Sequence, residues 1–156
     1  MNNRPNRKTE SEFNQSLLDI SRVTRVVAGG KRLSFRATIA IGSKSGHKIG
    51  IGIGKGADVS QAIEKAVNQA KNQMIEVPIK GNTIAFEVKA KYKAAEVILK
   101  PSQKGKGIIA GGAVRNILKL ANINDVTAKV LSKTSNAINN ARATLLALQQ
   151  LTIKED

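Results

Sequence analysis

The sequence contains no cysteine and no tryptophan, and its 156 residues include only three phenylalanines and one tyrosine. The absence of cysteine excludes disulfides, thiolate catalysis and cysteine-based zinc sites. With aromatic residues at 3% of the chain, recognition of nucleic-acid bases by aromatic stacking is not expected. No apolar run approaches the roughly 20 residues of a membrane-spanning helix. Residues 1–16 contain two glutamates and no apolar segment, so no secretory signal is predicted there.

Acidic residues are also scarce, because 11 Asp and Glu stand against 26 Lys and Arg and give a formal net charge of +15. Self-repulsion of this size does not stabilise a globular fold, so a polyanionic partner is expected. The imbalance is concentrated, since eight Lys and Arg and no acid lie between Asp19 and Asp58. A surface that only had to be soluble would intersperse both signs. The segment therefore predicts a phosphate-binding face.

The densest glycine pattern lies within that segment, at Gly42–Gly56. It holds six glycines, three lysines and the single histidine, and isoleucine alternates with glycine from Ile49 to Ile53. In a strand, successive side chains point to opposite faces. We therefore expect the isoleucines to enter a core, and the glycines to form a bare face that RNA approaches closely.

The first half of the chain is predicted to fold as β-β-β-α. The three strands are expected at 17–28, 33–41 and the isoleucine–glycine segment, joined by tight turns at Gly29-Gly30 and 43–46. An amphipathic helix is predicted from the N-cap Asp58 to Met74. It is expected to pack on the isoleucine face of the sheet.

The second half is predicted to fold as β-β-α-β-α. Strands are expected at 83–92, 96–100 and 125–132, with one helix ending at Asn122 and a last helix from Ser135 or Asn136 to Leu151. The predicted organisation is a flexible basic arm at 1–15, a first domain at 16–79 and a second domain at 80–153. The fold class is α+β.

The glycine-rich segments do not fit nucleotide-binding motifs. A P-loop requires glycine five positions before its Gly-Lys pair, where Ile49 and Lys100 stand in this chain, and a dinucleotide fingerprint would need glycine in place of Val59. His47 has no cysteine or carboxylate near it, so contact with RNA or solvent is expected rather than metal binding or catalysis. The acids show no paired spacing. The chain is not predicted to be an enzyme, and no cofactor or metal is predicted.

A second basic, glycine-rich segment covers 102–115 and leads into a helix. Backbone N–H groups at a helix N-terminus favour an anion, and Lys104, Lys106 and Arg115 add positive charge. Alternatively, the glycines allow close packing against another protein. The residues alone leave both interpretations open.

Three segments, Arg25–Phe35, Gly46–Lys55 and Gly105–Arg115, resemble bacterial small-subunit ribosomal protein five. The resemblance covers about residues 15–150, in order and with matching spacing. It implies a first domain similar to a double-stranded-RNA-binding domain. It also implies a second domain with a left-handed βαβ crossover, an exception to the usual handedness.

The resemblance further implies partners and a location. The partners would be the small-subunit rRNA, ribosomal proteins four and eight, and mRNA near the channel through which it enters the subunit. The protein would sit in cytoplasmic ribosomes, without membrane contact or self-association. Its role would support translational accuracy and subunit assembly.

We therefore predict a structural rRNA-binding protein that neutralises phosphate charge and carries out no chemistry. The alternative is an RNA-processing enzyme or its protein cofactor, because the implied second fold is shared with such proteins. The predicted RNA-binding residues are Arg22, Arg25, Gly29, Gly30, Lys31, Arg32, Arg36, Lys44, His47, Lys48, Gly50, Gly52, Gly54 and Lys55. The predicted protein-interface residues are Lys104, Lys106, Gly107, Gly111, Gly112 and Arg115.

Overall fold

The structure is a computed structural model that describes residues 12–153. Within this range the chain forms two four-stranded sheets and three helices, which confirms the predicted α+β class. The strands are β1 Phe13–Val27, β2 Gly30–Ser43, β3 Lys48–Gly56, β4 Ile75–Glu76, β5 Val88–Tyr92, β6 Ala95–Pro101, β7 Ile108–Ile109 and β8 Val126–Val130. The helices are α1 Val59–Asn72, α2 Gly112–Leu120 and α3 Ala137–Ile153.

The first sheet has the order β1-β2-β3-β4 and is antiparallel throughout, which confirms the predicted three-strand meander. Val27 pairs with Gly30, so the hairpin turn is centred on Ala28-Gly29, one residue earlier than predicted. Gly30 follows the turn with a φ of +147°, a region that favours glycine. Of the predicted arm at 1–15, residues 1–11 lie outside the described part of the chain. Strand β1 already begins at Phe13.

Helix α1 begins as predicted. The Asp58 carboxylate accepts a hydrogen bond from the backbone N–H of Val59 at 2.7 Å, and its carbonyl accepts one from Ala62 at 3.1 Å. The side-chain bond satisfies a donor that the first helical turn leaves without an internal partner, and the carbonyl accepts the first regular bond of the helix. The helix ends at Asn72, slightly before the predicted Met74, and buries the side chains of Ala62, Ala66 and Ala70.

Helix α1 contacts the face of the first sheet that carries the glycines of β3. The prediction that it packs on the isoleucine face is wrong. A Cβ placed on Gly50, Gly52 or Gly54 would lie 2.0–2.2 Å from the carbonyl oxygens of Ala70, Ala66 and Ala62, respectively. No side chain fits at such a separation, so the glycines let the helix backbone lie directly on the strand. The predicted contact of Gly50, Gly52 and Gly54 with RNA is therefore also wrong, because α1 already covers this face.

The isoleucines of β3 point to the opposite face of the sheet. Ile49 and Ile51 are buried together with Ala40 in a cluster that continues through Val97, Leu118 and Leu148 of the second half of the chain. On the α1 side, Ile39 and Ile41 of β2 pack with Ala66 and Ala70. The first sheet is thus covered on both faces, and the two halves of the chain share one core.

The second sheet has the order β5-β6-β8-β7. Here β5 starts at Val88, later than the predicted strand at 83–92, and β7 was not predicted at all. The short β7 pairs in parallel with β8, with α2 between them, so these elements form a βαβ unit. The left-handed crossover that the resemblance implies stays a prediction.

The ends of the last two helices follow the sequence closely. Asn122 lies just after α2 with a φ of +57°, the left-handed conformation that was predicted. The Asn136 side chain accepts hydrogen bonds from the backbone N–H groups of Ile138 at 3.0 Å and Asn139 at 3.3 Å. Asn136 is therefore the N-cap of α3.

Replacing Gly52 with alanine tests the close contact between β3 and α1. The added Cβ would meet the Ala66 carbonyl oxygen at 2.0 Å, a backbone atom that cannot move aside independently of the helix. We expect Gly52→Ala to lower the free energy of unfolding by about 2 kcal/mol or more in urea denaturation.

Gly29→Ala is the matched control, because a Cβ at Gly29 has no heavy atom within 4 Å. It should leave the free energy of unfolding within about 0.5 kcal/mol of the wild-type value. Equal effects of the two substitutions would show that the contact does not require glycine.

Candidate nucleic-acid interface

The tip of the β1–β2 hairpin extends beyond the rest of the first sheet. Pairing between β2 and β3 begins at Phe35, whereas pairing between β1 and β2 continues to Gly30. Residues 23–34 therefore form a two-stranded ribbon with no third strand beside it, and most of them are exposed. At about 3.3 Å per residue, the β2 side of this ribbon reaches roughly 16 Å past the end of β3.

Like charges face each other across the ribbon. Arg25 lies directly opposite Arg32, so their side chains share one face of the ribbon. Directly opposed like charges destabilise an antiparallel pair. Neither guanidinium takes part in an ion pair within residues 12–153. The arrangement favours an anion bound from outside.

The same face continues back along β2. Arg36, four residues after Arg32, lies opposite Lys55 of β3. The Arg36 guanidinium lies 3.6 Å from the Asp19 carboxylate and donates to the Ser21 hydroxyl at 3.3 Å, so its charge is partly compensated. Lys55 is exposed and unpaired among the described residues.

The remaining predicted cations are placed less uniformly. Arg22 and Lys31 lie on the opposite face of the ribbon, where their partners in β2 and β1 are Phe35 and Val26. Lys44 is exposed in the turn after β2. Lys48 lies 3.8 Å from the carboxylate of Glu76 in β4. The fold therefore places one acid beside a segment whose own sequence contains none. Both members of this pair are largely exposed, so the pair contributes little to stability.

His47 joins the two halves of the chain. Its Nδ1 lies 3.0 Å from the carbonyl oxygen of Ala121. The carbonyl can only accept, so Nδ1 carries the proton in this contact. The predicted contact of His47 with RNA is untested, and the structure gives the ring an intramolecular partner instead.

Asn122, which was not predicted as a site residue, makes the companion contact. Its Nδ2 donates to the carbonyl oxygens of Ser43 at 3.0 Å and Gly46 at 3.1 Å. The left-handed backbone at Asn122 could be predicted from its place after α2. The hydrogen bonds of its side chain to the β2–β3 turn could not be predicted, because that turn is 76 or more residues away in sequence.

The second glycine-rich segment folds around an internal carboxylate. The backbone N–H groups of Gly105 and Gly107 donate to Oδ1 of Asp125 at 3.1 and 2.9 Å, and Asp125 is only 4% exposed. These two N–H groups are therefore not available to an external anion. The side chains of Lys104, Lys106 and Arg115 point away from the core and are exposed, together with Gly111 and Gly112. Their assignment to a protein interface stays a prediction.

One titratable group in the second half has a shifted pKa. Arg142 donates a hydrogen bond to the Tyr92 hydroxyl at 2.6 Å, and this bond lowers the pKa of Tyr92 below its ordinary value. The positive charges of Arg142 and Lys93 act in the same direction.

Within residues 12–153, no group of three or more His, Cys, Asp or Glu side chains is placed to hold a metal ion. No helix there is long and apolar enough to cross a membrane.

Asn122→Gly tests the contact between the two halves of the chain. Glycine keeps the left-handed backbone but removes both side-chain hydrogen bonds, each worth about 1 kcal/mol. We expect a loss of about 1–2 kcal/mol in the free energy of unfolding, measured by urea denaturation.

Lys93→Gly is the control, because Lys93 also has a positive φ, +52°, but makes no such contact. It should be neutral or slightly stabilising, since glycine relieves the strained backbone. A neutral Asn122→Gly would mean that these two bonds do not hold the halves together.

Comparison with family models matches both halves of the chain. Residues 13–78 match the model described as "Ribosomal protein S5, N-terminal domain". Residues 90–156 match the model described as "Ribosomal protein S5, C-terminal domain". The two matches together cover most of the chain and include both sheets.

Individual relatives give the same result. The chain is 47% identical over 149 residues to "Small ribosomal subunit protein uS5" of Mycoplasmopsis agalactiae, which covers 95% of this chain and 64% of that protein. It is 47% identical to "Small ribosomal subunit protein uS5c" of Cyanidium caldarium, over 91% of this chain and 84% of the relative. It is 45% identical to "Small ribosomal subunit protein uS5" of Campylobacter jejuni, over 90% and 94%, respectively. The chain thus spans less than two thirds of the length of the Mycoplasmopsis relative.

Proposed function

The chain belongs to the ribosomal protein S5 family, and from this premise we propose that it is a structural, rRNA-binding protein of the small ribosomal subunit. The single observation in the structure that carries the RNA-binding part is the pair Arg25 and Arg32, opposed across a protruding ribbon. Membership of a structural, non-enzymatic family speaks against the alternative of an RNA-processing enzyme.

The proposed mechanism is charge neutralisation by a rigidly held ribbon. The base of the ribbon belongs to a sheet that is covered on both faces, so its orientation is fixed before RNA binds. The repulsion between Arg25 and Arg32 is relieved when phosphate oxygens lie between or beside the guanidinium groups. Lys55 and Arg36 extend the same positive face toward the body of the protein. Arg22, Lys31 and the turn at Gly29 and Gly30 present the other face and the tip.

The finer assignments are part of the same proposal. Lys104, Lys106, Gly107, Gly111, Gly112 and Arg115 form an exposed or half-exposed surface around the start of α2. We propose that this surface meets a neighbouring ribosomal protein, with proteins four and eight as the candidates implied by the family resemblance. Proximity to incoming mRNA and residence in cytoplasmic ribosomes follow from the same implied position.

The double variant Arg25→Ala/Arg32→Ala tests the ribbon. Loss of two phosphate contacts should weaken binding to small-subunit rRNA about a hundredfold or more, because each is a hydrogen bond to a charged group. The slope of log affinity against log salt should become shallower by about 1.4–1.8. Filter binding at several salt concentrations measures both quantities.

Lys91→Ala/Lys129→Ala is the matched control, since it removes the same charge from exposed positions of the second sheet. Its salt slope should stay close to that of the wild type. The free energy of unfolding of the arginine variant should be unchanged or slightly higher, because the variant removes a repulsive pair. Identical salt slopes for the two double variants would contradict the proposed role of the ribbon.

A further inference from the structure

A polar groove of about 560 Å³ lies where the first sheet meets the second half of the chain. Its wall on the sheet side is formed by β1, and its other wall by α2 and the segment after it. We call it the amide groove, because five of its lining residues carry carboxamides. The polar residues that line it are Asn14, Gln15, Ser16, Asn116, Lys119, Asn122 and Asn124.

The carboxamides of the amide groove have unused hydrogen-bonding capacity. The side chains of Asn14, Asn116 and Asn124 make no hydrogen bond to any other described residue, whereas the Asn122 amide is used against the β2–β3 turn. Gln15 pairs with Ile41, so its side chain lies on the α1 face of the sheet, away from the groove. Each carboxamide offers two donor hydrogens and an acceptor oxygen. Such a set complements a flat ligand that presents donors and acceptors side by side.

The floor of the amide groove is apolar. Ile123 is fully buried there and Leu120 is 8% exposed, and half-buried Ile108 lies beside them. An apolar floor with a few convergent polar groups is the usual composition of a small-ligand site. Ile108 is the apolar lining residue with surface left for the face of a nucleobase, while the carboxamides meet its edge.

The charge of the amide groove selects an anionic ligand. Among the described residues, Lys119 is the one charged residue that lines it, and it forms no ion pair with any of the others. None of the described acids lines the groove. A peptide would also satisfy carboxamides, but it offers no reason for a lone lysine in an acid-free groove on a chain with net charge +15.

The position of the amide groove links it to the ribbon. Ser16 and Arg22 belong to the same strand, β1, and are about 20 Å apart along it. An RNA strand whose phosphates contact the ribbon can therefore continue to the groove. RNA is recognised in sequence mainly through unpaired bases, whose edges are free.

We propose that the amide groove binds one unpaired nucleotide of the rRNA and prefers adenine. An Asn carboxamide forms two hydrogen bonds with the Watson–Crick edge of an unpaired adenine, because it donates to N1 and accepts from the N6 amino group. Lys119 contacts the phosphate of the same nucleotide. This proposal rests on the proposed rRNA-binding function, and adds a base-reading site to the phosphate contacts of the ribbon.

The test uses the full chain, small-subunit rRNA and the double variant Asn116→Ala/Asn124→Ala. Dimethyl sulfate methylates N1 of unpaired adenines, so base protection can be followed at single-nucleotide resolution. We expect wild-type protein to protect at least one unpaired adenine that stays reactive with the double variant. Binding should weaken about tenfold, while the salt slope set by the ribbon stays unchanged.

Asn68→Ala/Asn72→Ala is the matched control, because it removes two exposed carboxamides from α1, away from the groove. It should keep the wild-type protection pattern. Asn116→Asp supplies a second variant of nearly the same shape, and its negative charge should weaken binding further. Urea denaturation of each variant checks that the fold is retained.

The possible outcomes separate this proposal from the proposed function. If the wild type binds rRNA with the expected salt slope but the variant protects the same adenines, the base-reading site is refuted and the ribbon is not. If protection is unchanged and the double variant instead loses a protein neighbour during subunit reconstitution, the groove holds a peptide and the proposal is also refuted. If the wild type does not bind rRNA, the proposed function fails as well.

Discussion

The close contact between the glycines of β3 and the backbone of α1 determines the arrangement of the whole chain. With Gly50, Gly52 and Gly54 facing Ala70, Ala66 and Ala62, the helix lies on the strand with no side chain between them. The isoleucines of β3 are then free to face the other way. They enter the core of the second half, so one strand joins a helix on one side to a complete second sheet and two helices on the other.

This shared core gives the elements proposed to bind RNA a fixed base. The β2–β3 turn is held against the end of α2 by His47 and Asn122, and Gly42 lies so close to Leu120 that a Cβ would meet the Leu120 carbonyl oxygen at 2.1 Å. The ribbon projects from the opposite end of the same strands. A protein can maintain two arginines opposite each other when the rest of the sheet is anchored, and when a polyanion compensates the repulsion in the complex.

Much of this fold could be predicted from the sequence. The alternation in β2, the N-caps Asp58 and Asn136, and the left-handed Asn122 each depend on local physics, and the structure agrees with them. The segment predicted to bind phosphate stands out because eight cations lie in sequence without an acid. The family could be identified from three glycine-rich segments in order.

The errors have one common physical origin. Period-two alternation shows which residues share a face of a strand, but not what covers each face. The alternation therefore led to the prediction that RNA contacts the bare glycine face. In the structure, the glycines let a helix lie on that face. Local patterns also do not show that the Asp125 carboxylate accepts hydrogen bonds from Gly105 and Gly107, which lie 18 or more residues away. Nor do they show β7, because a strand of two residues has no visible alternation. The amide groove is assembled from β1 and α2, which are some 100 residues apart in sequence, so no local pattern could reveal it.

Native-state hydrogen exchange of the full chain tests most directly whether the two halves share one cooperative core. The slowest amides of β3 and those of α3 should exchange with the same free energy of opening, because either half exposes the common core when it unfolds. Amides of the ribbon at 23–34 should exchange much faster. If the amides of α3 stay protected while those of β3 exchange through a distinct opening of lower free energy, the halves are independent units and the shared core does not hold them together.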